Sequence, residues 1–426
     1  MKVIAAGDAS SLAGVTDLGW SVPSAVRDEV ARVIAGVQTR GDAAVLEYAR
    51  RYDDEFFDMS KLRVAIPMLD NLRPHVAEEI ARALDLERER LTRFHQRQRL
   101  PDISYVEEDG SRYAVARRPL RSVAIYAARA TALSSVLMGA VPAKIAGVAR
   151  IVVLSPPCTG GFDAALLFAC AFCGVDELYA VGGAQAIAAA AVGTQTLRPV
   201  DKIVGRGGRW TTEAKRQVYG RCGIDGLSGP PEALIVADEG ASSEYVVGEL
   251  LAAAEWPEIA RLAVISESRS LLEAVAQLID TLDLESSERS ERVNEAISTK
   301  CRLIAADSRE ELIDLLNRFA PAYLCLQVRD AWAYLERVAA AGTIFIGEST
   351  PLVSGEYLAG TNAVAPVEGT ARFTSSLSLA DFTRSFSVVE NSNERLAADA
   401  ALLAALAERD GLPYHAATAR MRKGDL

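Results

Sequence analysis

Two glycine turns carry the residue types best suited to hold a ligand. Residues 179–181 are apolar and strand-forming, and Gly182 and Gly183 lead straight into the alanine-rich stretch 184–192. Glycine lets backbone approach a ligand closely, and a helix starting there offers free N–H groups and the positive end of its dipole. A second turn of this kind spans 203–208, where Gly205, Gly207 and Gly208 follow one another. No G-x-G-x-x-G is present, because Trp210 and Thr211 stand where a later glycine is needed. Spacing alone therefore leaves both turns equally readable as ordinary strand–helix connections.

The elements that must position these turns follow from composition and periodicity. A chain of 426 residues suggests two or three domains at about 100–200 residues each. Half of it is apolar and 24% charged, which supplies a sizeable core. A net charge of −11 argues against nucleic acid or an anionic membrane as partner, since both reward a basic surface. No apolar run approaches the roughly 20 residues that a membrane span requires. The opening MKVIAAGDASS shows no secretory pattern, so the expected location is cytoplasmic. Of six cysteines, Cys170 and Cys173 form a C-x-x-C inside an apolar helical run. Without a second cysteine or histidine pair this reads as core packing.

From Ser122 onward short apolar runs alternate with helical stretches: SVAIY, then 134–148, then IVVLS, then 162–173. Strands separated by single helices predict a parallel sheet with right-handed crossovers. The alternation restarts at ALIVA (233–237) and runs to TIFIG, which predicts a second sheet. The expected fold is α/β, with two doubly wound, incomplete Rossmann-like domains. Its expected boundaries are an N-terminal arm at 1–21, a first discontinuous domain at 22–121 and 234–375, a nucleotide-binding domain at 122–233, and a helical tail at 376–426. A tail with little core of its own is expected to dock on a second subunit.

Several segments taken together resemble the histidinol dehydrogenase family. They are GGAQAIAA, VDKIVG, GID followed by GP-x-E-x-L-x-x-AD, AG-x-IF-x-GE-x-TP, AG-x-N-x-V-x-P, SSVLM with VPAKIAGV, and the closing GL-x-x-H. The likeness runs from about residue 41 to His415. It implies a homodimer that uses NAD and zinc to oxidise an amino alcohol through the aldehyde to the acid.

The residues that the resemblance would make chemical depart from the family pattern. A glutamine and a histidine three apart, which would clamp zinc from one helix face, correspond to Ala253 and Trp256, with Glu255 between them. The family's aspartate ligand corresponds to Glu356, and its C-terminal histidine to His415. The Glu–His catalytic pair corresponds to Ala322 and Tyr323, a further histidine to Ala363, a substrate-holding serine to Pro231, and a substrate-contacting glutamate to Asp410. On the cofactor side, Tyr126 and Gln185 match, Gly208 replaces an asparagine, and the P-G-G turn reads Ala127, Ala128, Arg129. An arginine there would suit a pyrophosphate or a 2′-phosphate.

The expectation drawn from these departures is an oxidoreductase using NAD or NADP but no zinc. It would act on a small alcohol or aldehyde other than histidinol, and it would bind neither nucleic acid nor membrane. Tyr323, Glu356, His415 and Asp410 would be catalytic, Glu255 and Trp256 substrate-binding. Tyr126, Arg129, Gly182, Gly183, Gln185 and Gly208 would be cofactor-binding. A non-redox enzyme reusing the cleft and a catalytically inactive binding protein are the alternatives.

Overall fold

The computed structural model describes residues 1–8, 12, 15–16, 21–128, 133–158, 160–256, 259, 261–282 and 287–423. It divides into a larger unit (residues 1–98 and 120–382) and a smaller one (99–119 and 383–426). The first elements of the larger unit are β1 (Val3–Ala5), α1 (Ser24–Arg40), α2 (Asp42–Tyr52), β2 (Arg63–Val64), α3 (Leu69–Leu72) and α4 (Glu78–Gln96). The chain then enters the smaller unit for β3 (Ile103–Val106) and β4 (Arg112–Pro119).

Back in the larger unit come β5 (Ser122–Tyr126), α5 (Leu133–Ala146), β6 (Arg150–Ser155), α6 (Ala164–Phe172) and β7 (Glu177–Ala180). α7 (Gly183–Val192), β8 (Lys202–Val204), α8 (Arg209–Val218) and β9 (Gly223–Ile224) complete this half. Its strands form one sheet in the order β2–β7–β6–β5–β8–β9, parallel except where β2 meets β7. Strands β5 and β6 are apolar along nearly their whole length because both faces are covered. Ala124 and Val152 pack to one side, Val123, Ile125, Ile151 and Val153 to the other. Helix α5 lies close on this sheet at Gly139, where a Cβ would come within 2.7 Å of Ile125.

The second alternation gives β10 (Glu232–Ala237), α9 (Ser243–Ala254), β11 (Arg261–Ser266), α10 (Arg269–Thr281), α11 (Glu288–Lys300) and β12 (Cys301–Ala305). α12 (Arg309–Phe319), β13 (Tyr323–Gln327), α13 (Ala331–Leu335), β14 (Thr343–Ile346) and α14 (Leu352–Glu356) follow. These strands make a second parallel sheet, β1–β12–β11–β10–β13–β14. Ser242, Ser268 and Ser308 cap α9, α10 and α12, each side chain accepting from a backbone N–H three residues on. The smaller unit is completed by β15 (Thr383–Glu390), α15 (Asn393–Arg409) and α16 (Pro413–Lys423). β15 pairs antiparallel with β4 over its full length.

The α/β class with two Rossmann-like sheets and a C-terminal helical pair matches the expectation. Placement of the flanking segments differs from it. Residues 3–5 are an edge strand of the second sheet rather than part of a separate arm. Helices α1 and α2 share a core with α7, and β2 pairs with β7, so residues 24–64 pack around the first sheet. The tail begins with a strand, β15, most of whose side chains are exposed.

Candidate functional site

Ligands in open parallel sheets sit at the carboxyl ends of the strands, where strand order reverses. In the first sheet that point lies between β5 and β8, because β5 connects outward to β6 on one side and pairs with β8 on the other. Tyr126 ends β5, and Gly205 and Arg206 follow β8. Gly205 adopts φ +110 with its N–H donating to Asp225 Oδ2 at 2.7 Å, and a Cβ there would lie 2.4 Å from the Tyr126 carbonyl. Only glycine fits such an approach. Beneath it Lys215, fully buried, is ion-paired with buried Asp225 and donates to the Gly205 carbonyl at 2.8 Å.

The neighbouring turn is built from the expected residues, but its donors are already engaged. Gly182 N–H donates to Asp53 Oδ2 at 3.3 Å, Gly183 N–H to Tyr126 Oη at 3.1 Å, and Gln185 Nε2 to the same Asp53 oxygen at 2.9 Å. Tyr126, Gln185, Gly182 and Gly183 are thus brought together, around a carboxylate that the sequence reading missed. The acidic pair closing the RYDD stretch is the only sequence signal for Asp53. Burial pushes the Asp53 carboxyl up, against the two donors that favour its charge. Burial also raises the Tyr126 phenol to about 12, so it stands neutral over the turn. Gly208 caps α8 with no side-chain acceptor. Arg129 lies outside the described residues.

A second cluster joins the two sheets. From the end of β8, Arg206 Nη1 donates to Glu356 Oε1 at 2.8 Å and Nη2 to Glu356 Oε2 at 2.6 Å. Nη1 also donates to Tyr323 Oη at 2.9 Å. Tyr323 opens β13, is 1% exposed, and donates its own proton to the Ala363 carbonyl. Burial, first, and Glu356 raise its phenol far above the usual range despite Arg206, so the ring remains a neutral donor. For Arg206, desolvation is outweighed by Tyr323 and Glu356, and its pKa rises further. Trp256 packs on the Tyr323 ring with centroids 5.3 Å apart, and Phe345 lies on it at 6.1 Å.

Tyr323, Glu356 and Trp256 therefore meet as a group. Arg206, which binds Tyr323 and Glu356, is not among the residues expected from the sequence, where the glycines flanking it carry the signal. Glu255 is more than half exposed and pairs with Arg289 at 3.6 Å. Asp410 ends α15 and His415 stands in the first turn of α16, both in the smaller unit.

The histidinol dehydrogenase family model matches residues 21–423. The chain is 39% identical to a histidinol dehydrogenase of Aromatoleum aromaticum, over 93% of this chain and 91% of that protein. It is 38% identical to histidinol dehydrogenase 2 of Nostoc, over 92% and 91%. The crystal structure of histidinol dehydrogenase from Elizabethkingia anophelis superposes with a TM-score of 0.88 at 25% identity, covering 99% of this chain and 98% of that one.

These likenesses overturn two expectations drawn from single substituted positions. Identity of this extent gives no support for a substrate other than histidinol, and it matches the chain to a zinc-using family, against the expectation of no zinc. The residues at hand do not themselves fit such an ion. Glu356 is already held by both terminal nitrogens of Arg206. Among the described residues no group of three or more His, Cys, Asp or Glu side chains is placed to hold a metal. No described helix is long and apolar enough to cross a membrane.

Proposed function

The chain belongs to the histidinol dehydrogenase family, and from this we propose that it is a dehydrogenase oxidising histidinol with NAD. The observation that carries the reading is 39% identity sustained over 93% of the chain, with the Gly182–Gln185 turn and the Arg206–Glu356 cluster in one unit. Bound NAD would supply the hydride acceptor, and in each step the hydroxyl proton must leave to a side chain or to water. Glu356 is the proposed acceptor. Each carboxylate oxygen takes one hydrogen bond from Arg206 and keeps a lone pair for a substrate hydroxyl. Tyr323, buried and neutral, acts by orienting Arg206. The Gly182–Gln185 turn with Tyr126 is the proposed seat of the dinucleotide, where Asp53 holds the turn in shape. His415 and Asp410 are proposed as acid–base groups of the smaller unit.

The test is NADH formation from NAD⁺ and histidinol, with zinc supplied and with chelator. Turnover that needs both substrates, and that Glu356→Gln lowers by about 10²–10⁴, is the expected result. No NADH under either condition would sink the reading.

We further propose a cytoplasmic homodimer. The described cysteines are all free thiols, which suits a reducing compartment. The smaller unit exposes Tyr105, Phe386, Val389, Leu402, Leu406 and Tyr414, apolar residues of the kind subunit contacts cover. Light scattering should give twice the chain mass, and Val389→Lys with Leu406→Lys should shift it toward one. A monomeric wild-type protein would refute the proposal.

A further inference from the structure

A guanidinium has two edges that can each hold a carboxylate with two parallel bonds, and Arg206 uses only one of them. Its terminal edge, Nη1 with Nη2, is taken by Glu356, and the remaining Nη1 proton by Tyr323. Among the described residues the side edge, Nε–H with the outer Nη2–H, makes no hydrogen bond. The side chain is 25% exposed and its Nε is not among the buried polar atoms left without a partner, so this edge is open to a ligand rather than stranded in the core. Further features favour an anion there. Helix α8 begins three residues later, and its N-cap Gly208 has no side chain to accept from the first-turn amides. The aromatic wall of Trp256, Tyr323 and Phe345 lowers the local dielectric, which strengthens a charge-assisted bond.

We infer that the Nε/Nη2 edge of Arg206 is a carboxylate-binding site, which receives the acid group of the oxidised product beside Glu356. The identity of that acid rests on the dehydrogenase reading above; the site itself rests on the geometry of Arg206. The alcohol and the aldehyde carry no anionic oxygen at the reacting carbon. The acid does, after water adds to the aldehyde carbon and the second hydride leaves. The edge therefore discriminates the last species of the sequence from the first and slows its release. Lysine would keep the charge and the attraction to Glu356, but it has no second fork.

The experiment compares wild type with Arg206→Lys, with NADH present, by calorimetry against histidine, histidinol and acetate, after thermal melts have shown both proteins folded. The expected result is histidine binding about 10- to 100-fold weaker in Arg206→Lys, with histidinol changed by less than about threefold. Product inhibition should weaken in parallel. Equal histidine affinities in the two proteins overturn the inference and leave the proposed function standing. If neither histidine nor histidinol binds, but acetate binds wild type and not the variant, the site stands and the proposed substrate falls. Binding of no carboxylate to wild type overturns the site itself.

Discussion

Arg206→Met is expected to lower folding stability by about 3–5 kcal/mol and to abolish turnover. The substitution keeps most of the side-chain volume but removes the guanidinium from a carboxylate whose side chain is only 12% exposed. Glu356 then stays desolvated without a partner, and the Tyr323 oxygen loses its donor. Removing both charges should be much gentler. The double variant Arg206→Met, Glu356→Gln is expected to recover at least half of the loss, because neither side leaves an uncompensated charge. Urea denaturation of the four proteins in the cycle gives the coupling directly. A single-variant cost below about 1 kcal/mol, or strict additivity, would show that the pair contributes no more than a surface ion pair does.

Much of the architecture was legible because the strands are covered on both faces. Runs such as IVVLS and ALIVA carry no polar face, which is the mark of a central parallel strand. What periodicity could not say is which sheet a helix serves. The apolar stripe of α1 (Val30, Val33, Val37) is plain in the sequence, but its partner, α7, lies about 150 residues away. β1 is too short, at three residues, to register as alternation. β15 lies in the stretch 376–426 expected to be helical, and only Thr383 of its eight residues is even partly buried; its pairing with β4, and not apolar patterning, makes it a strand.

The site was legible by residue type more than by role. Tyr323, Glu356 and Trp256 were picked for their positions, and they do meet. Arg206 lies between glycines whose function in a turn is obvious, so its own side chain attracted no reading. Its two partners are 117 and 150 residues away in sequence, a separation that no local pattern reports. The substituted metal and catalytic positions mislead in another sense. They are a handful of side chains in a likeness that spans nearly the whole chain, and 39% identity over 93% of it outweighs them for substrate and zinc alike.

Glu87→Gln is expected to make the protein more stable than wild type, by an amount that grows with pH. Glu87 projects from α4 onto α5, is 2% exposed, and receives one hydrogen bond, from Ser134 Oγ at 2.9 Å. Its Oε1 has no partner. Among the described residues no cation binds the carboxyl: neighbouring Arg88 lies over the Phe172 ring and donates to the Phe172 carbonyl. Burial therefore pushes the group up to about 8, and Ser134 only partly opposes this. The sign follows from proton counting. Above its ordinary value of 4.5 the carboxyl is ionised in the unfolded chain, while the folded protein keeps the proton until about pH 8. The folded state binds more protons throughout that window, so stability falls as pH rises through it and levels off above. Glutamine reproduces the shape and the acceptor for Ser134 and does not titrate. The gap between variant and wild type should then widen by about 1.4 kcal/mol for each pH unit between 5.5 and 8. Other raised groups, Glu232 among them at about 7, slope both curves equally and cancel in the difference. Parallel stability curves across that range would mean that Glu87 is ionised in the folded protein, and that water or a moved side chain reaches Oε1.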